Sequence, residues 1–168
     1  MSAGLPETVD VWRMVAQGRR FTGRLPLAVM ARLAPSLAAT SGDIRFDLEF
    51  GRDRFGAAFV AVVIEGCLPL ICQRSLEIFD WPVRIDTRLG LIRTEPEEAA
   101  LPPGYEPLLV GAEAMRLADV VEDELILALP LVPMQEGSVE AEGMVWSSEL
   151  DQTDKPNPFA VLSVIKQH

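Results

Sequence analysis

Ile44-Arg45-Phe46-Asp47-Leu48-Glu49-Phe50 decides the fold. Four apolar side chains alternate with three charged ones. A period of two gives a strand with one face buried and one wet. The next residues, Gly51-Arg52-Asp53-Arg54-Phe55-Gly56, have turn chemistry. Ala57 to Ile64 is an uninterrupted apolar run, as expected of a strand buried on both faces. After Gly66 the chain reads as extended through Leu68 to Gln73. Leu76 and Ile78 alternate again. Val83, Ile85, Thr87 and Leu89 alternate with Arg84, Asp86 and Arg88. About residues 44–93 are thus expected to form an antiparallel sheet or a partly open barrel of four or more strands.

Short helices flank this sheet, which makes the fold class α+β. Val9 to Gln17 has apolar residues at helical spacing after an Asp10 cap, and Gly18 ends it. Arg20 to Leu27 reads as a short extended stretch. Ala28 to Leu37 reads as a second short helix with Pro35 near its end. Thr94 to Ala100 is acidic and reads as a loop. Arg116 to Leu129 is amphipathic, with Leu117, Val120, Val121 and Leu125 on one side. In that helix Glu122, Asp123 and Glu124 are expected on a solvated face, because adjacent helical carboxylates point different ways and rarely converge on one ion.

The chain has 168 residues. That is the size of one domain. A chain of this size buries roughly 70% of its unfolded surface and needs no disulfide or metal to fold. Hydrophobic residues make up 49%, which excludes a wholly disordered chain. The run Ala57 to Ile64 is too short to span a bilayer, and Met1 to Asp10 has no secretory pattern. The expected location is the cytoplasm. Residues 1–130 are expected to form the α+β domain, 131–156 an acidic arm, and 157–168 a short helix docking on the domain. Asn157 and Pro158 suit the start of that helix, and Phe159, Leu162 and Ile165 form its apolar edge. Met144-Val145-Trp146 is an apolar island within the acidic arm.

Charge is divided unevenly. Residues 1–93 hold 12 basic and 10 acidic side chains, a net of +2, and every basic one is Arg. Residues 94–168 hold 3 basic and 15 acidic, a net of −12. Arg suits bidentate phosphate contact. Such asymmetry can set an RNA-facing surface beside an acidic arm that meets protein. The bland alternative is a soluble acidic protein of mixed charge, with the Arg84, Asp86 and Arg88 row as a solvated strand face.

Catalytic patterns are sparse. The only His is His168 and the only cysteines are Cys67 and Cys72. A structural zinc site needs four ligands, so no metal is expected. A Ser-His-Asp or Cys-His mechanism needs a positioned base, which the terminal His does not supply. No Gly-rich phosphate loop appears, and no carboxylate spacing assembles a two-metal nuclease centre. No cofactor is expected.

Three stretches together resemble one bacterial family, the YceD family of large ribosomal RNA subunit accumulation proteins. Cys72-Gln73-Arg74, followed by Ser75, is similar to the family's C-Q-R-C segment. Leu101 to Pro133 carries Glu122-Asp123-Glu124-Leu125 within E-D-E-L-I-L-A-L-P. Lys155-Pro156-Asn157-Pro158-Phe159-Ala160-Val161-Leu162 is the third. The resemblance runs from about Leu5 to Lys166. It implies a non-enzymatic cytoplasmic factor needed for accumulation of 23S rRNA and assembly of the large subunit. Ser75 replaces the family's second Cys, so metal binding does not carry over from the resemblance.

Two readings follow. In the first the chain binds 23S rRNA, its precursor or a large-subunit ribosomal protein, with Arg19, Arg20, Arg74, Arg84, Arg88 and Arg93 as the candidate RNA contacts. In the second it is an acidic adaptor that recruits a basic ribosomal protein or an RNA-processing enzyme without touching RNA. Neither reading expects a DNA or membrane partner.

Overall fold

A computed structural model describes residues 6–111 and 113–137 of the chain. Five strands, β1 (Arg20–Pro26), β2 (Asp43–Arg52), β3 (Ala58–Ile71), β4 (Ile78–Ile92) and β5 (Glu106–Leu109), form one open sheet in sequence order. The first four are antiparallel neighbours, and β5 lies parallel to β4. The helices are α1 (Val11–Gln17) and α2 (Leu117–Ala128). The fold class is α+β with an open sheet, so the barrel alternative falls away.

The alternation at 44–50 works as read. Ile44, Phe46, Leu48 and Phe50 are buried, while Arg45, Asp47 and Glu49 stand on the other face. Register carries this parity across the sheet. Leu48 is opposite Phe21 on β1 and Val62 on β3, and Val60 is opposite Leu89 on β4. The core also takes Val11 and Val15 from α1 and Leu117, Val121 and Leu125 from α2. Each fully buried side chain of this kind is worth about 1.5–3 kcal/mol. Asp10 caps α1 by accepting the Arg13 N–H at 3.0 Å, and Gly18 closes it with φ +56°.

The structure corrects several sequence expectations. Only three strands lie within 44–93, and two of them are long. β3 passes through Gly66 because a Cβ there would lie 2.4 Å from Ile44 Cδ1, so this glycine allows close approach instead of marking a break. Pro69 gives its carbonyl to the Ala38 N–H at 2.8 Å, so its missing donor falls on the side away from β4. β3 is also not buried on both faces. Ala58, Val60, Val62 and Ile64 are buried, but Phe59, Ala61 and Val63 are only half-buried.

Ala28 to Leu37 is not one helix. It forms two 3₁₀ turns, Leu27–Val29 and Ala34–Ser36. The N–H groups of Arg32 and Leu33 go to the Glu122 carboxylate instead of to helical carbonyls. Thr94 to Ala100 contains a 3₁₀ turn, Glu95–Ala100, where a loop was expected. Leu101, just after it, covers Gly90 so closely that a Cβ on Gly90 would meet its side chain at 2.5 Å. No helix among the described residues is long and apolar enough to cross a membrane.

Candidate nucleic-acid interface

The end of the sheet where β2 turns into β3 gathers arginine and aromatic side chains. Asp53 builds the turn. Its Oδ1 accepts the N–H groups of Phe55 and Ala57, both at 2.9 Å, and Gly56 takes φ +87°. This geometry pushes Phe55 outward, 74% exposed. The Arg54 guanidinium lies over the Phe55 ring, 4.6 Å from its centre. Arg52 Nη1 donates to the Gly56 carbonyl at 2.8 Å. From β4, Arg88 covers the Phe59 ring at 5.0 Å. Tyr105 meets Phe59 edge-on at 6.2 Å, and its hydroxyl donates to Asp53 Oδ2 at 3.4 Å. Between these groups is a hollow of about 460 Å³. A second hollow of about 370 Å³ shares Arg52 and contains Trp12 and Arg93, whose guanidinium lies 4.4 Å from the Trp12 ring. Among the described residues, Arg52, Arg54 and Arg88 make no ion pair with a carboxylate. Three cations beside one internally bonded Asp leave the tip locally positive. Arginine planes interleaved with aromatic rings are the surface chemistry that single-stranded nucleic acid uses.

The six arginines singled out from sequence do not form one cluster. Arg88 and Arg93 lie at this tip. Arg20 is held in a fork by Asp47, with Nε donating to Oδ1 at 2.8 Å. That bond and the added charge hold the Asp47 carboxyl below its ordinary range. Arg84 faces Glu65 at 3.8 Å. Arg19 lies 5.9 Å from the Phe21 ring, in a separate hollow beside Arg13. Arg74 is at the opposite end of the sheet, 3.9 Å from Met134 Sδ.

The motif residues have structural partners. Cys72 is buried, and its Sγ accepts the N–H groups of Ser75 at 3.5 Å and Gln135 at 3.4 Å. The Gln73 N–H reaches the Pro133 carbonyl at 2.8 Å. The Cys72-Gln73-Arg74 turn therefore fastens the 133–135 segment to the β3–β4 connection. Glu122 and Glu124 are not on a solvated face; they are 5% and 9% exposed. Glu122 Oε1 accepts from Arg32 N at 2.6 Å and Leu33 N at 3.0 Å, and its Oε2 pairs with the Arg32 guanidinium at 3.2 Å. Asp123, half exposed, takes the other arm of Arg32. The expected divergence fails for Glu122 and Asp123, which converge on one cation, an arginine 90 positions before Glu122. Burial, then repulsion from Glu106 and Asp123, pushes the Glu124 carboxyl upward. Lys155, Asn157, Pro158, Phe159 and the acidic arm beyond Gly137 lie outside the described residues.

Arg52, Arg54, Phe55, Phe59 and Tyr105 were missed as candidate residues. A usable signal was present: the 51–56 turn needs its Gly and Asp, whereas Arg54 and Phe55 are not turn-forming residue types. Phe59 and Tyr105 join Arg88 only through strand register, which composition does not reveal.

Fold and surface together define an α+β protein whose open sheet offers, at one end, aromatic rings and arginines that pair with no carboxylate among the described residues, while Glu122 and Asp123 serve the fold. A family model described as "Large ribosomal RNA subunit accumulation protein YceD" matches residues 60–166. The chain is 31% identical over 168 residues to the Large ribosomal RNA subunit accumulation protein YceD of Haemophilus influenzae, covering 97% of each chain. The chain belongs to the YceD family, which is named for accumulation of the large ribosomal RNA and not for a catalysed reaction. No solved structure matches it.

Proposed function

We propose that this chain is a non-enzymatic ribosome-biogenesis factor of the bacterial cytoplasm. It supports accumulation of 23S rRNA and assembly of the large subunit by contacting the rRNA or its precursor directly. Family membership supports the first part. One observation carries the second: Arg52, Arg54 and Arg88 converge on an aromatic hollow, without carboxylate partners among the described residues. Elsewhere on the sheet Arg20, Arg24 and Arg84 already face Asp47, Asp43 and Glu65. The paired arginines have spent their charge locally, so phosphate contact falls to the unpaired ones.

The adaptor reading has its own supporting observation at the far end. Ile78 and Leu76 are 63% and 68% exposed, next to a hollow of about 670 Å³ lined by Trp81, Met134 and the acids Asp80 and Glu136. An apolar hollow with an acidic rim suits a basic protein.

The test is sucrose-gradient sedimentation of cell extracts with crosslinking and RNA sequencing. The wild-type chain is compared with one in which Arg52, Arg54 and Arg88 are all changed to Gln. Co-sedimentation with a large-subunit precursor and crosslinks to 23S rRNA that vanish in the variant are expected. Co-sedimentation without crosslinks in the wild type overturns direct RNA contact and favours the adaptor.

A further inference from the structure

We infer that the hollow at the β2–β3 turn takes unpaired RNA, with one base stacked on Phe55 and the flanking phosphates held by Arg52 and Arg88; this rests on the RNA-contact reading above.

The geometry separates this ligand from an RNA duplex. A duplex hides its base faces and offers phosphates and 2′-hydroxyls across a wide, shallow groove. A protein that reads it needs spread-out donors on a broad surface, and the broad outer face of this sheet is charge-compensated by Asp43, Asp47 and Glu65. Unpaired RNA offers base faces. Phe55 offers an aromatic face at the apex of a turn, 74% exposed and outside the core. The ring is not part of the hydrophobic core cluster, so its face is open to a ligand. Among the described residues it is stacked by the Arg54 guanidinium, a planar cation that also stacks on bases. The site is concave, with Phe59 and Tyr105 as its wall and Arg88 above Phe59.

Asp53 does not oppose this. Both of its oxygens accept internal bonds, from Phe55 N, Ala57 N and the Tyr105 hydroxyl, so it fixes the turn backbone that carries Phe55 and holds the Tyr105 ring of the wall before ligand arrives. A preordered turn and wall give up less entropy on binding. Stacking tolerates any base, so the site would distinguish paired from unpaired RNA and not one base from another.

The experiment is fluorescence anisotropy with a labelled oligouridylate and a labelled RNA duplex of equal nucleotide content. Three variants are used: Phe55→Ala, Phe55→Trp and the triple change of Arg52, Arg54 and Arg88 to Gln. Phe55→Ala is expected to weaken oligouridylate binding about tenfold or more. Duplex binding should be weak throughout and unaffected by that change. Phe55→Trp should keep binding, and its added emission should be quenched by oligouridylate. The unfolding midpoint of each Phe55 variant should match the wild type, since the ring is outside the core. If the triple variant loses binding but Phe55→Ala does not, stacking is overturned and RNA contact stands. Equal wild-type affinity for the duplex also overturns the inference while leaving RNA contact intact. A wild-type chain that binds neither probe overturns both readings and leaves the hollow to a protein partner.

Discussion

The tip of the β2–β3 hairpin and the junction between α2 and residues 31–34 both centre on arginine, and they use it in opposite ways. At the junction, Arg32 is surrounded by acceptors: the Glu122 and Asp123 carboxylates and the Asp119 carbonyl. Glu122 also satisfies two backbone N–H groups. At the tip, Arg54 and Arg88 lie over aromatic rings, and Arg52 donates to a turn carbonyl. The first arrangement consumes charge to fix the chain path between β1 and β2. The second leaves charge available. The comparison teaches that the presence of arginine is a poor guide to an anion site; whether a carboxylate already faces it is the better one.

The sharpest way to break the contrast is Glu122→Ala. It strips the buried Leu33 N–H of its acceptor and leaves Arg32 with Asp123 and the Asp119 carbonyl. A buried donor left without a partner costs about 1–3 kcal/mol, and loss of the carboxylate's other bonds brings the expected destabilisation to about 2–4 kcal/mol. Urea denaturation measures it. Glu122→Gln keeps an acceptor oxygen and should lose clearly less. If Glu122→Ala unfolds at the wild-type midpoint, the junction is no clamp and its arginine is as free as those at the tip.

The tip should respond in binding and not in stability. Changing Arg52, Arg54 and Arg88 to Gln removes no ion pair, so stability should stay within about 0.5 kcal/mol of the wild type. Affinity for unpaired RNA should become less salt-dependent. Each lost phosphate contact removes about 0.7 from the slope of log K against log salt, so the contacts of Arg52 and Arg88 together remove about 1.4. Titrations at several salt concentrations read this directly. An unchanged slope would mean that these side chains meet no phosphate, and the contrast with Arg32 would lose its functional half.

Legibility in the sequence follows the range of the interactions. The period of two in β2, the α1 cap at Asp10 and the apolar side of α2 are local patterns, and each appears where it was read. The length of β3 was not legible, because Gly66 answers to Ile44 on the neighbouring strand and Pro69 to Ala38. Glu122 looked solvated because its partner, Arg32, is remote in sequence. The arginines misled for the same reason. Nothing local to Arg20 announces Asp47, which reaches it through β1–β2 pairing, where Thr22 and Asp47 are opposite. Arg88 was found, but its companions Arg52, Arg54 and Phe55 were absorbed into a turn.

The smallest expected effect concerns two carboxylates shifted in opposite directions. The Asp47 carboxyl is depressed below its ordinary value of 3.8 by the Arg20 hydrogen bond and charge. Its contribution is therefore fully present above that value and is lost as pH falls through the lower, folded one. The pair is partly exposed and screened, so the contribution is at most about 1 kcal/mol. Glu124 is raised above its ordinary value of 4.5 by burial, with Glu106 and Asp123 adding repulsion. It holds its proton more tightly when folded, so stability is lost as pH rises from 4.5 through the folded value. Thermal unfolding of Asp47→Asn and Glu124→Gln across this range separates them. Asp47→Asn should flatten only the acid side of the profile, below about pH 4. Glu124→Gln should raise the midpoint near neutral pH and leave the acid side alone. If Asp47→Asn leaves the acid side unchanged, the Arg20 fork does not persist in solution. Arg20 would then join Arg52, Arg54 and Arg88 as an available cation, and the boundary between spent and free arginines would have to be redrawn across β1.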